Sequence, residues 1–319
     1  IGMSNQTSTT VQEFILVGFP GLQDQESKTI FFIVFLLAYL FICVGNLLII
    51  LIFTVDRSLH SPMYLLICNL AIIDVTLPTV TIPKMLALFA FDSRSISFSA
   101  CFTQILLYLG LVTIESFLLM VMAYDRYIAI CNPLRYPSIM TNNHVLKRIA
   151  CCWVGGLCGP VIPLVLALRL PFCGPNKVVH CFCDHSAVLR LACAEIVINS
   201  YVALTIALSV LFIPLIYILF SYTRIIMSVL KIASSEGRLK AFSTCGTHLL
   251  VISIFILTAA GVYISYRIPG TSADVRIMAA VLQNVFPPLM NPIIYCLRTK
   301  EIRDSFVKTF QRHKILPGG

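Results

Sequence analysis

A bundle of seven transmembrane α-helices, followed by a short amphipathic helix, is the fold class that this sequence predicts. Of its 319 residues, 58% are hydrophobic and only 12% are charged, and the mean hydropathy is +0.92. A soluble domain carries about 25% charged residues. Seven apolar stretches reach the length of a membrane span, which is about 20 residues. They are residues 30–55, 63–90, 101–124, 145–168, 197–227, 248–266 and 275–297.

The stretches differ in how cleanly they read as membrane helices. Prolines and charged residues between positions 74 and 84 interrupt the second, and Pro214 lies within the fifth. The seventh is short and contains Pro287, Pro288 and Pro292. Neighbouring helices satisfy the backbone groups that such prolines free. Because the apolar runs are continuous rather than alternating, they favour helices over a β-barrel.

The domain organisation is one membrane domain, residues 30–297, between an N-terminal tail (1–29) and a C-terminal segment (298–319). The tail starts with polar residues and has no apolar core, so we expect no cleaved signal peptide and a first span that acts as signal anchor. In the C-terminal segment, Ile302, Phe306 and Phe310 recur every four residues. This spacing predicts an amphipathic helix on the membrane surface.

Basic residues predict the orientation in the plasma membrane. With the first loop on the cytoplasmic side, fifteen of the 23 lysines and arginines fall in cytoplasmic segments. This bias places the N-terminus outside and the C-terminus inside. The net charge of +9 then reflects orientation and attraction to anionic lipid rather than to nucleic acid, for which no soluble basic face is visible.

Features of the predicted outer segments agree with this orientation. Asn5 begins an Asn-Gln-Thr sequon and is a predicted glycosylation site. Cys101 and four cysteines between positions 173 and 193 would lie on the oxidising side. Their pairing cannot be read from the sequence alone.

The most specific segment is MAYDRYIAICNPLRYPSIM, residues 122–140, in which Asp125 and Arg126 close the third apolar stretch. A charged pair at the end of a membrane helix lies at the water boundary, where ionisation is tolerated. An arginine held by its neighbouring carboxylate can be released to another partner. The pair is therefore a candidate switch.

This segment resembles the end of the third helix in odorant receptors, a branch of the rhodopsin-like G-protein-coupled receptors. Five other stretches carry strings similar to that family: Gly45-Asn46, PMYLLICNLAIIDV (62–75), Ser221-Tyr222, KAFSTCGTHL (240–249) and PPLMNPIIYCLRTKEIR (287–303). GFPGLQ (18–23), the cysteine-rich loop and the TKEIR ending look most like the class I, or fish-like, branch. Two departures are Leu65-Leu66 and Phe255-Ile256-Leu257, and the second favours class I.

The resemblance implies two disulfides, Cys101–Cys183 and Cys173–Cys193, which leaves Cys181 over. It also implies a heterotrimeric G protein of the olfactory or Gs type as partner, with a rise in cyclic AMP. In the implied activation, Arg126 leaves Asp125 and joins Tyr222 and Tyr295 around an inserted G-protein helix.

Two acids, Asp74 and Glu115, fall within the apolar stretches, where a carboxylate needs a partner, a proton or a cation. One interpretation is a sodium site with Ser116 or Asn291 nearby, which the family pattern favours. The other is a polar cluster with one protonated carboxyl. No other cofactor is predicted.

The cytoplasmic halves of the sixth and seventh stretches hold further candidates for activation. Asn291-Pro292 with Tyr295 looks like the receptor Asn-Pro-x-x-Tyr element, and its proline weakens the helix locally. The element is therefore either a hinge or a static kink. His248 is a candidate to hydrogen-bond near Arg126, or else a satisfied buried histidine.

Ligand recognition is expected among the outer halves of the third, fifth, sixth and seventh stretches. Counting along the helices gives a mostly apolar set with a few polar groups, the usual composition of a small-molecule site. The set is Tyr108, Leu109, Val112, Thr113, Val202, Ile206, Ala259, Ala260, Tyr263, Arg267 and Asn284. Arg267 is a candidate anchor for an acid through a charge-assisted bond. Alternatively, it reaches water or pairs with Asp184, Glu195 or Asp274.

These observations together predict an odorant receptor for a small odorant, which is an acid if Arg267 is its anchor. A receptor of the same fold for an endogenous metabolite outside the olfactory epithelium is the alternative. A retinal pump is excluded because residues 275–297 contain no lysine for a Schiff base. A transporter would show paired repeats or a chain of membrane acids, and no zinc or nucleophile motif indicates an enzyme.

Overall fold

The computed structural model describes residues 11–231 and 234–314, and it confirms a bundle of seven helices long and apolar enough to cross a membrane. The spans are α1 (Gln25–Val55), α2 (Pro62–Phe91), α3 (Phe98–Cys131), the pair α5 (Asn142–Cys158) and α6 (Val161–Leu168), α8 (Val197–Val229), α9 (Ser235–Arg267) and α10 (Ala273–Arg298). Short helices α4 (Tyr136–Ile139) and α7 (His185–Leu189) lie in loops, and α11 (Lys300–Lys314) follows the last span.

Capping residues set several helix starts outside the apolar stretches. The Asp24 carboxylate accepts the Ser27 backbone N–H at 2.8 Å, so α1 begins five residues before the predicted span. Ser272 caps α10 in the same way, accepting the Val275 N–H at 3.3 Å. The side-chain oxygen satisfies one of the free N–H groups of the first turn. These two helices therefore begin at their polar capping residues, before the apolar stretches start.

The fourth stretch is two helices rather than the single one predicted for residues 145–168. The α5 helix ends at Cys158 and α6 begins at Val161, with Gly159 and Pro160 between them. Proline has no backbone N–H and clashes with the preceding turn of a helix, so the helix breaks there. Pro214 in α8 and Pro292 in α10, by contrast, lie inside continuous helices.

The α3 helix is the centre of the bundle and contacts α2, α5, α6, α8 and α9. It crosses α5 where both helices have glycine. A Cβ added at Gly156 would lie 2.9 Å from the Ile114 nitrogen and 3.1 Å from the Gly110 oxygen. At the α1–α10 crossing, a Cβ on Gly45 would lie 3.0 Å from Pro292 Cγ. The α3 and α5 backbones thus approach closely, and the α1 backbone packs directly on the Pro292 ring, because the glycines have no side chain, as is common in membrane bundles.

One end of the bundle, here called the N-terminal face, carries a small three-stranded sheet. Strand β1 (Glu13–Leu16) pairs antiparallel with β2 (Ser95–Ser97) and parallel with β3 (Lys177–Val178). Phe14 and Leu16 are fully buried in a second hydrophobic core at this face. Beyond the strand, the Gly21 N–H contacts the Asp274 carboxylate at the start of α10, at 3.1 and 3.2 Å. The segment before α1 is therefore an integral part of the fold.

The opposite end, the C-terminal face, carries α11, which confirms the short helix expected after the seventh span. Ile302 is buried, and the Ser305 hydroxyl donates to Asp56 Oδ2 at 2.6 Å, which joins α11 to the end of α1. This bond and those from Ser58 lower the pKa of Asp56 to about 2. The Phe310 side chain and Asn5 lie outside the described residues, so the corresponding predictions stay open.

Candidate ligand cavity and polar core

A cavity of about 600 Å³ lies between α3, α8 and α9, in the half of the bundle nearer the N-terminal face. Its volume lies within the roughly 300–1,000 Å³ of small-molecule pockets. Eight residues from the predicted set line it: Tyr108, Leu109, Val112, Thr113, Ile206, Ala259, Tyr263 and Arg267. The three helices thus bring most of the predicted residues together, and their role in ligand binding stays a prediction.

Three residues of the predicted set lie away from the cavity wall. Asn284 is buried and its amide donates to the Thr81 hydroxyl, so it joins α10 to α2 instead. Val202 does not line the cavity although the next residue, Ala203, does. Consecutive helical residues point about 100° apart, and counting along α8 chose the wrong one. Ala260 likewise does not line the cavity, although the preceding residue, Ala259, does.

The loop between α6 and α8 forms the roof of the cavity, but the ligand-binding set chosen from the sequence includes none of its residues. Asp184, His185, Ser186, Leu189 and Arg190 all line it. The position of Asp184 directly after Cys183 was the signal that could have located the roof.

Both implied disulfides are formed and hold this loop. Cys183 is bonded to Cys101 at the start of α3, and Cys173 to Cys193 within the loop, while Cys181 is free and buried. The Gln104 side chain adds a second connection, since its Oε1 accepts the Cys183 N–H at 2.8 Å. The roof is therefore fixed to α3.

Two buried histidines belong to the roof. His180 packs edge-on against Phe182, with ring centroids 4.3 Å apart, and Phe182 packs on the cavity residue Tyr108 at 5.2 Å. Burial lowers the pKa of both His180 and His185, while the Asp184 charge acts in the opposite direction. The roof therefore favours neutral imidazoles.

The Arg267 guanidinium lies on the cavity wall, and within residues 11–231 and 234–314 it forms no ion pair with the three acids considered from the sequence. Asp184 Oδ2 accepts the Tyr266 hydroxyl at 3.3 Å, and Asp274 accepts the Gly21 N–H. Arg267 is thus exposed and available to a ligand.

Below the cavity, a polar cluster joins α1, α2 and α10. The Asn291 amide donates to Asp74 Oδ2 at 2.9 Å, and the Asn46 amide donates to the Pro288 carbonyl at 3.0 Å. Glu115 is buried and close enough to Asp74 for their charges to interact. Ser116 is turned away, since its hydroxyl donates to the Val210 carbonyl in α8 at 2.8 Å.

This cluster has the donor chemistry of a site for a hard cation. Asp74 Oδ1, Asn46 Oδ1 and Asn291 Oδ1 are buried and accept no hydrogen bond from any described residue. Carboxylate and amide oxygens are the ligands that hard cations prefer. The residues therefore fit a sodium ion, with Asn291 rather than Ser116 beside Asp74.

At the C-terminal face, Arg126 is held against its neighbour. Its Nε donates to Asp125 Oδ2 at 2.9 Å, and Nη2 donates to the same oxygen. The Tyr136 hydroxyl in α4 donates to Asp125 Oδ1 at 2.8 Å. Asp125 therefore has both oxygens occupied and holds the arginine in the paired arrangement.

Three further predicted activation residues surround this pair. Tyr222 and Tyr295 are buried, and neither hydroxyl has a hydrogen bond among the described residues. Both lie near Arg126. His248 is buried beside Tyr295, with ring centroids 6.1 Å apart, and has no hydrogen bond to Arg126 in the described structure. Pro292 lies in a continuous α10.

Sequence comparisons with known proteins agree on one family. The family model described as olfactory receptor matches residues 35–313. Human olfactory receptor 11H6 is 42% identical over 96% of this chain and 92% of its own length, and human olfactory receptor 6N1 is 42% identical over 96% and 97%. The crystal structure of squid rhodopsin matches 93% of this chain and 90% of its own, with a TM-score of 0.75 and 17% identity. At that identity, the rhodopsin match shows the fold alone.

Proposed function

Because this chain belongs to the olfactory receptor family, a family of multi-pass G-protein-coupled receptors, we propose that it detects a small acidic odorant and raises cyclic AMP through a stimulatory G protein of the olfactory or Gs type. The observation that carries the ligand class is the unpaired Arg267 guanidinium on the wall of a largely apolar cavity. The strings GFPGLQ and TKEIR support the class I branch.

The proposed orientation puts the N-terminal face outside the cell and the C-terminal face in the cytoplasm. The excess of basic residues at the C-terminal face supports it, as does the attraction of such residues to anionic lipid. Both disulfides belong to the N-terminal face, and disulfides persist in oxidising surroundings. An odorant would then reach the cavity beneath the disulfide-bonded loop.

Arg267 anchors the acid in this proposal. A guanidinium forms two parallel charge-assisted bonds with a carboxylate, while the apolar walls from Leu109, Val112 and Ala259 hold the hydrocarbon chain. Replacing Arg267 with alanine should abolish responses to carboxylic acids in a cyclic AMP assay. Arg169→Ala is the matched control, because Arg169 is exposed at the same face and does not line the cavity. Unchanged potency in Arg267→Ala, at equal surface density, would reject the anchor.

In this proposal, release of Arg126 from Asp125 transmits ligand binding to the G protein. An odorant that prefers one arrangement of the helices shifts the population toward it. In the active arrangement Arg126 leaves Asp125 and meets the hydroxyls of Tyr222 and Tyr295, which lack partners in the described structure. His248, beside Tyr295, moves with α9, and Pro292 lets α10 adjust. A rise in cyclic AMP supports this coupling; a response only through another second messenger would contradict the Gs assignment.

The polar cluster around Asp74 binds sodium and stabilises the inactive bundle in this proposal. Its unpartnered oxygens and the nearby Glu115 support it. In membranes, replacing sodium with an organic cation should raise basal nucleotide exchange on the G protein, and Asp74→Asn should remove that dependence. If Asp74→Asn responded to sodium as the wild type does, the ion would not bind here.

A further inference from the structure

The cavity wall carries charge of both signs. Three charged side chains line it, Asp184, Arg190 and Arg267. Asp184 and Arg190 flank α7 in the roof, and Arg267 ends α9. Within the described ranges none of the three takes part in an ion pair. The wall therefore presents a carboxylate as well as guanidinium groups to whatever enters.

The two oxygens of Asp184 have different surroundings. Oδ2 accepts the Ala187 N–H at 3.0 Å and the Tyr266 hydroxyl at 3.3 Å. Oδ1 has no hydrogen-bond donor among the described residues and is not enclosed by protein. Both partners of Oδ2 are neutral donors, so Oδ1 is left as an acceptor for a ligand.

The position of this oxygen is well defined. The preceding residue, Cys183, is fixed to α3 by its disulfide and by the bond from its N–H to Gln104. The Tyr266 hydroxyl fixes the side chain itself, and Tyr266 in turn lies under the Arg276 guanidinium, 5.7 Å from the ring centroid. An acceptor held this way loses little rotational freedom when a ligand binds.

We infer that Asp184 forms a second polar subsite, which accepts a hydrogen bond from a hydroxyl or ammonium group of the ligand. This inference rests on the proposed function, in which Arg267 holds the ligand's carboxylate. The ligand class is then narrowed to hydroxy or amino acids with a hydrocarbon body. A plain acid leaves Asp184 Oδ1 desolvated and unpaired, which costs affinity.

The test compares a straight-chain carboxylic acid with its hydroxy and amino derivatives, substituted at each successive carbon, on the full-length receptor. On the wild type, at least one derivative should be about tenfold more potent than the plain acid, the gain expected for one charge-assisted bond. Asp184→Asn should remove that advantage without weakening the response to the plain acid, because the neutral amide is less costly to desolvate than the carboxylate. Asparagine and serine both cap helices well, so Asp184→Ser serves as a second variant that preserves α7.

Ser186→Ala is the control, because Ser186 also lines the roof but leaves the carboxylate intact. The inference is overturned if all derivatives match the plain acid on the wild type, or if both Asp184 variants weaken plain and substituted acids equally. Arg267→Ala separates the two proposals. Loss of every acid response in that variant upholds the anchor whatever Asp184 does, whereas a wild-type receptor that responds to amines or alcohols and to no acid would overturn the anchor and leave Asp184 as the recognition group.

Discussion

Tyr136→Phe should raise the basal activity of the receptor. The substitution removes one hydroxyl, which donates to Asp125 Oδ1 at 2.8 Å and helps to hold Asp125 in place against Arg126. A hydrogen bond to a charged group contributes about 1.5–3 kcal/mol. Tyr136 is half-buried, so we take the lower end of that range. About 1.4 kcal/mol corresponds to a tenfold change in an equilibrium constant.

Loss of the Tyr136–Asp125 hydrogen bond destabilises only the inactive arrangement, because Arg126 leaves Asp125 on activation in the proposed mechanism. A basal active population of about 1% would therefore rise to about 10%. The measurement is cyclic AMP without ligand, normalised to surface density. Tyr124→Phe is the matched control, since its hydroxyl has no hydrogen bond in the described structure and its ring, 4.2 Å from the Arg148 guanidinium carbon, is retained. Equal basal activity in the Tyr136 and Tyr124 variants would refute the reasoning.

Two further predictions concern stability. Gly156→Ala should destabilise the solubilised receptor by about 1–3 kcal/mol, because the added Cβ would meet the α3 backbone. Gly155→Ala is the control and should be neutral, because its Cβ would lie 3.6 Å from Phe117, an ordinary contact. Equal melting temperatures of the two variants would contradict the close crossing. Burial lowers the pKa of His180 and His185 below the ordinary 6.5, so their contribution to stability is present above that pH and is lost as the pH falls below it. Hydrogen exchange of residues 177–190, corrected for intrinsic rates, should therefore rise at pH 5, and His180→Gln should reduce this rise.

The sequence predicted the spans because each consists of a long apolar run, and a run of that kind has few alternatives in a membrane. It did not predict where the helices end. The α3 helix continues past Asp125 and Arg126 to Cys131, because a charged pair at the membrane boundary does not break backbone hydrogen bonding. The helix breaks at Gly159-Pro160 because of the proline, and a hydropathy pattern does not detect such a break.

The sheet at the N-terminal face was missed for a different reason. Strand β1 has four residues and its partners have three and two, which is too short for an alternating pattern to stand out. Its stability comes from Phe14 and Leu16 packing on a loop that disulfides hold in place. Contacts between such distant parts of the chain are invisible to local reasoning.

The sequence predicted which helices line the cavity, but it did not always predict which residue of a helix faces it. Counting by turns located Tyr108, Val112 and Ala259, but it selected Val202 instead of Ala203 and placed Asn284 on the cavity rather than against Thr81. An error of one residue rotates a side chain by about 100°. The orientation of α8 and α10 about their own axes is set by packing, which the sequence alone does not reveal.

Strand β1 has a consequence for the order in which the receptor is assembled. Ile15 pairs with Lys177, which follows it by 162 residues. In the proposed orientation, the strand stays unpaired during synthesis, with Phe14 and Leu16 lacking their packing partners, until four spans have been inserted and the loop that carries Lys177 has crossed the membrane. A segment that is made before all seven spans thus pairs only after the fourth span, and folding factors have that interval to bind it. Variants that delay insertion of α5 or α6 are therefore expected to cause retention through a segment that they do not touch.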